Sequence, residues 1–174
     1  DAESIKDTLD GIRSDVVYGL VERFVPPDSI DEQWDLAGLS AALESELGVS
    51  MDAAGLVANS EEIDAEGIAG AVQKTVAAHF ELKEQSIGEE TMRALEKHIM
   101  LTVVDQSWKE HLARMDYLRQ GIYLRGYAQK QPKQEYKKEA FELFSQMLER
   151  VKTDVISMVG RVRVRSEEEV AAME

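Results

Sequence analysis

Cysteine is absent from the 174 residues, which excludes a disulfide framework, a thiolate metal site and a sulfur nucleophile, and agrees with a reducing compartment. Only three prolines occur, Pro26, Pro27 and Pro132, so long stretches are free of the residue that breaks helices. Uncharged apolar runs such as Ile99 to Val104 are far short of the roughly 20 residues a spanning helix needs. No charged, apolar, cleavable start is present, so neither secretion by that route nor membrane integration is expected. A phosphate-cradling glycine loop, HExxH, GxSxG and calcium-loop spacing are all missing, which leaves no motif for an autonomous enzyme.

What is present is acid, helix periodicity and one basic segment. Thirty-four acidic residues against 20 basic give a net charge of −14, with 44% apolar residues, a balance suited to a folded, acidic globular chain. The charge is uneven: residues 1–90 carry 21 acids and 5 bases, whereas 91–174 carry 13 and 15. That shift marks a boundary near residue 88.

Every strong apolar pattern has the period of a helix, so the fold class expected is all-α: a small helical unit followed by a long antiparallel hairpin. Ile5, Leu9, Ile12, Val16 and Leu20 stripe a first helix that must stop before Pro26. Trp34, Leu36, Leu39, Leu43 and Leu47 suggest a second closed by Gly48, and Ile68, Val72, Val76 and Phe80 a third ending near Gly88. Leu101, Val104, Trp108, Leu112, Met115, Leu118 and Ile122 define a long helix over about 89–122. Beyond Gly121, Gly126 and Pro132, a stripe of Ala140, Phe144, Met147, Val151, Val155 and Met158 supplies the return helix. Residues 166–174 read as a solvated end.

His79, His98 and His111 lie too far apart to share a helix face and are read as surface or capping residues, not metal ligands. The acids Glu61, Glu62, Asp64 and Glu66 precede a helix and serve its N-terminal dipole. Trp34 and Trp108, each in register with an apolar stripe, are assigned to the core, as are the methionines of the hairpin. Glu110 and Asp116 are paired carboxylates in type only, with no pocket-forming motif beside them.

Residues 119–138 stand apart. They hold Arg119, Arg125, Lys130, Lys133, Lys137 and Lys138 against the single acid Glu135, with Tyr123, Tyr127 and Tyr136 interleaved. An exposed aromatic and basic turn at the end of a long arm is a contact device, with a solvated turn of no role as the alternative. Nucleic acid is not the expected partner, because the net negative field opposes a polyanion and nothing extends the basic patch along a face.

The strings SWKEHL, MDYLRQGI, LRGYAQK and PKQEYK, within a match from Gly88 to Val159, resemble the SecA family of bacterial preprotein translocase motors in the segment forming its two-helix finger. Residues 1–87, with FVPPDSIDEQWDLAGL, look like the family's helical wing domain. The resemblance implies an internal part of the motor: a wing over 1–87, a scaffold finger over 88–165 and the start of a C-terminal linker over 166–174. It implies no catalytic and no metal residues here, with ATP and magnesium handled by nucleotide-binding domains elsewhere. It carries a polypeptide-contacting tyrosine over to Tyr127, and the expected partners are the SecYEG channel, the preprotein and the motor's own nucleotide-binding domains. Contacts to the channel or to anionic lipid headgroups are assigned by inference to Arg119, Arg125, Lys130 and Lys133. The same resemblance implies a peripheral location on the cytoplasmic face of the bacterial inner membrane, allows a homodimer of the full-length protein, and leaves a purely regulatory docking role as the alternative. Gln131 departs from the acid found there in some relatives.

Overall fold

The computed structural model describes residues 2–122, 124 and 131–163. Among the described residues the chain is all-α, in the order α1 Ala2–Phe24, α2 Leu36–Leu47, α3 Ala53–Ala58, α4 Ala65–Ile87, α5 Glu89–Gly121 and α6 Pro132–Arg161, with a 3-10 turn at Asp31–Gln33. It divides into two compact units, one of residues 1–97 with 156–174 and the other of residues 98–155. The composition boundary coincides with the single residue between α4 and α5, whereas the compact units divide farther along, within α5 and within α6.

In the first unit, α1 stops where Pro26 and Pro27 remove two consecutive amide donors. The chain turns through Asp28 at φ 58°, a conformation that aspartate tolerates better than most residues. The Trp34 indole N–H donates to Ser29 Oγ at 2.8 Å, and the Asp35 amide donates to Phe24 O at 2.9 Å, returning the chain to the end of α1.

Three helices then start in one manner. Asp35, Asp52 and Asp64 each accept the amide of a glycine three residues on, Gly38, Gly55 and Gly67, at 2.8, 2.9 and 2.7 Å. The aspartate satisfies an amide with no partner in the helix and places its charge at the positive end of the dipole. Glycine keeps this position clear in all three, since an added Cβ would lie 2.2 Å from Asp35 Oδ2 in the first, 2.3 Å from Asp52 Oδ2 in the second and 2.9 Å from Ile63 Cγ1 in the third. The acid run Glu61 to Glu66 resolves accordingly, with Asp64 as the cap of α4. At the other end of α2, Gly48 at φ 68° and the bond from the Val49 amide to Leu43 O close the helix with a left-handed cap.

The core of this unit is aliphatic and dense. It gathers Val17, Leu20, Val21 and Val25 with Leu39, Leu43 and Leu47 of α2 and Ile68, Val72, Val76 and Phe80 of α4, all buried. The α1 stripe is therefore rotated slightly from the expected one: Val17 and Val21 face inward, while Val16 is half-buried.

The second unit holds most of α5 and α6, antiparallel, as shown by a groove that joins Gly121 to Glu139 and another that joins Ser107 to Arg150. Here the expected packing needs correction. In this unit the buried row of α5 is Ile99, Val103, Ser107, His111 and Leu118, continued just past the helix by Ile122. Leu101, Val104 and Leu112, assigned to the core from their spacing, are exposed, and so is Trp108 at 46%. The helix carries two adjacent apolar rows, and the one chosen for the seam includes the polar Ser107 and His111. His111, expected at the surface, is 7% exposed, its ring 5.5 Å from Trp108 and 5.8 Å from Phe144 between centroids. Of the methionines, Met92 is buried, Met100, Met115 and Met147 are half-buried, and Met158 is exposed.

Candidate functional site

The end of the hairpin is bounded by a helix stop and a helix start. α5 runs unbroken to Gly121, where its last turn carries Arg119. α6 begins with Pro132, whose fixed φ suits a first helical position and whose missing amide would have had no partner there. The Gln131 carbonyl receives the amides of Gln134 and Glu135, both at 3.1 Å, to start the helix.

Of the residues assigned to this end, Arg119 and Lys133 are described. Arg119 is exposed and donates to Asp116 at 2.8 Å along its own helix. So exposed a pair holds its partners weakly and leaves the guanidinium free to exchange partners. Lys133 is exposed in the first turn of α6, with Lys137 and Lys138 exposed one turn on. Tyr127, Arg125 and Lys130 lie outside the described residues, as do Tyr123 and residues 166–174.

Sequence reasoning missed two exposed apolar side chains at this end, Tyr117 at 81% and Leu124 at 75%. Tyr117 borders a groove of about 430 Å³ lined by Ala113, Arg114, Leu118, Gly121, Glu139 and Leu143. Its signal was available, since it lies off both apolar rows of α5. Farther from the tip, Leu101, Val104, Trp108 and Leu112 of α5 and Phe141, Phe144 and Leu148 of α6 are exposed as well. So many large apolar side chains exposed together on one hairpin go beyond apolar residues scattered singly over a surface.

The carboxylates considered for acid-base work are committed elsewhere. Asp116 accepts from Arg119 and Gln120, and Glu110 accepts from Gln106 at 2.9 Å and faces Arg150 at 3.9 Å. Among the described residues no group of three or more histidine or carboxylate side chains is placed to hold a metal ion, and no helix is long and apolar enough to cross a membrane.

The remaining polar chemistry lies in the first unit, at both ends of the hairpin helices. Gly88, at φ 84°, separates α4 from α5, accepting the Met92 amide and donating its own to Glu84 O. Arg93 of α5 pairs with Glu84 of α4 and with Glu96 at 3.2 Å. Arg93 and Glu96 are 7% and 4% exposed, and burial pushes the Glu96 carboxyl above its ordinary range. The Arg93 Nε has no acceptor. At the end of α6, Lys83 Nζ donates to the carbonyls of Val159 and Gly160, each at 2.6 Å. His79 Nε2 donates to the Gly160 carbonyl at 3.0 Å, the capping role expected for a histidine. Burial pushes the Lys83 ammonium down to about 8.

Comparison with known proteins places this architecture. A family model described as the SecA Wing and Scaffold domain matches residues 1–163. The whole chain is 71% identical to the protein translocase subunit SecA of Stenotrophomonas maltophilia strain R551-3 and spans 19% of its length. It is 72% identical to that of Xanthomonas axonopodis pv. citri strain 306 and 70% identical to that of Xanthomonas campestris pv. campestris strain B100, again over all 174 residues and 19% of each relative. On a match that covers nearly every residue, the chain belongs to the SecA family and corresponds to its wing and scaffold region.

Proposed function

We propose that this chain is the arm of an ATP-driven motor that moves secretory preproteins through the SecYEG channel, with the hairpin end as the working contact. The observation that carries the reading is full-chain identity to translocase subunits, in a segment whose one strongly basic stretch falls at the end of a two-helix hairpin. Tyr127 contacts the moving polypeptide, because an amphipathic ring offers contact area to any sequence. Arg119, Arg125, Lys130 and Lys133 meet acids of the channel or anionic lipid headgroups at the cytoplasmic face of the inner membrane, weakly and in a salt-dependent way. ATP and magnesium are bound by nucleotide-binding domains outside these residues, so this segment transmits work and does not hydrolyse nucleotide.

A second reading, that the hairpin docks on the motor and restrains its ATPase, is supported by the exposed row Leu101, Val104, Trp108 and Leu112. The deciding experiment places a photo-crosslinker at position 127 of a complete SecA carrying this segment during translocation in vitro. Capture of the moving chain is expected from position 127. Capture of none, with ATPase rates raised by substitutions in the exposed row, would favour the docking reading. Tyr127→Ala is expected to impair transport while leaving the melting temperature and nucleotide binding near normal; wild-type transport by this variant would refute the contact role.

A further inference from the structure

The hairpin's own seam is thin. Between Val103 and Leu118, α5 contributes only Ser107 and His111 as buried residues; opposite them on α6, Leu143 and Met147 are half-buried and Phe144, edge-on to His111, is exposed. His111 Nδ1 has no hydrogen-bond partner there. A seam of this kind resists sliding poorly, because small and polar groups supply little of the interlocking that sets helix register.

The ends of the same two helices are held far more firmly, and by adjacent residues of one helix. Glu84 of α4 pairs with Arg93 in the second turn of α5, while Lys83 of α4 donates to the last carbonyls of α6. Each contact is reinforced. Met92 beside Arg93 is 1% exposed, and Lys6 of α1 lies 3.5 Å from the other oxygen of Glu84. At α6, Ser157 Oγ donates to Glu46 O at 2.6 Å, and Gly160 comes so close to α2 that an added Cβ would lie 2.5 Å from Leu47 O.

We infer that Lys83 and Glu84 are positioning residues that together clamp the ends of both hairpin helices, and that this clamp, more than the hairpin's own seam, holds α5 and α6 in register. The charged ammonium on two helix-end carbonyls and the ion pair at Arg93 are each directional contacts between partly or fully buried groups, the strong class of polar interaction. Their neighbouring positions on one rigid helix fix the two ends at a constant separation. The inference concerns folding geometry and stands whether or not the hairpin end touches a translocating chain.

Spin labels introduced by Thr102→Cys and Gln146→Cys, both exposed positions in a chain with no other cysteine, report register through the width of their distance distribution. The wild-type chain is expected to give one narrow distribution, and Lys83→Met and Glu84→Gln to broaden it. Lys83→Arg, which keeps a charged multiple donor, is expected to restore the narrow form. Hydrogen exchange should localise the cause: amides of residues 158–162 exchange about tenfold or more faster in Lys83→Met, those of 89–97 in Glu84→Gln. A narrow distribution in both variants, with or without faster exchange at the helix ends, would show that the seam sets register and would overturn the inference. If Lys83→Met fails to fold, Glu84→Gln decides by the same criterion.

Discussion

The two compact units solve the problem of stability in opposite ways. The first unit buries whole rows of Val, Leu and Ile from three helices against one another, and starts its later helices with short aspartate caps. The hairpin unit runs Ser107 and His111 through the middle of its seam and leaves Trp108, Leu112 and Phe141 outside. A core of interlocking aliphatics stabilises itself, whereas two helices alone cannot enclose both of their apolar rows. The first unit is thus a self-supporting core and the second an open surface, and substitutions should fall into those classes.

The largest loss is expected in the first unit. Leu43 of α2 is fully buried in the aliphatic core, and Leu43→Ala should cost about 2–5 kcal/mol, read from the urea midpoint of the chain. A loss under about 1 kcal/mol would mean that the core of the first unit is as loose as the hairpin seam and would erase the contrast. Gly160→Ala comes next, at about 1–3 kcal/mol, because the obstructing atom is the Leu47 backbone carbonyl and cannot rotate away.

Much of this architecture is legible in the sequence, and the misses have physical causes. Helices α1, α4, α5 and α6 are long and bounded by Pro26, Gly88 and Pro132, so periodicity and breakers suffice to find them. α3, AAGLVA, spans less than two turns and offers no period to read. The repeated Asp-x-x-Gly caps stand in plain sight as DLAG, DAAG and DAEG, but a capping signal is easily passed over when the third position is glycine and not glutamate. On α5 the helix is legible and its buried face is not. Apolar residues at 99 and 103 compete with those at 101, 104, 108 and 112, and only the partner helix decides between neighbouring rows. At the hairpin end the basic run is legible because charge needs no fold to be counted, while the exposure of Tyr117 and Leu124 depends on where the helix faces.

A smaller effect is expected from Lys83 and is a matter of pH. Its folded value of about 8 lies below the ordinary 10.5, so between these values the unfolded chain holds a proton that the folded chain releases. Stability should therefore rise as pH increases from about 8 to 10.5 by this group's share. Below that window the burial cost of the charge is fully present, set against the two carbonyls that favour the ammonium. The difference between wild type and Lys83→Arg isolates the effect, since arginine stays protonated throughout. A difference that is flat with pH would show that the carbonyls hold the ammonium at its ordinary value.

The smallest effect, and the sharpest test of the contrast, is Trp108→Ala. A large aromatic at the centre of a core costs about 3–5 kcal/mol when truncated, and the spacing of Trp108 with Val104 and Leu112 invites that expectation. Its side chain is instead 46% exposed, and its one ring neighbour within α5 is His111. Removing it exposes part of the His111 ring and forfeits one aromatic contact, so the loss should stay near or below about 1 kcal/mol. Urea unfolding measured at several protein concentrations is the suitable readout. A loss of several kcal/mol that vanishes on dilution would mean that the exposed row is covered by another copy of the chain at working concentration. A loss of the same size at every concentration would place Trp108 in the hairpin's own core and return α5 to the face its apolar spacing suggests.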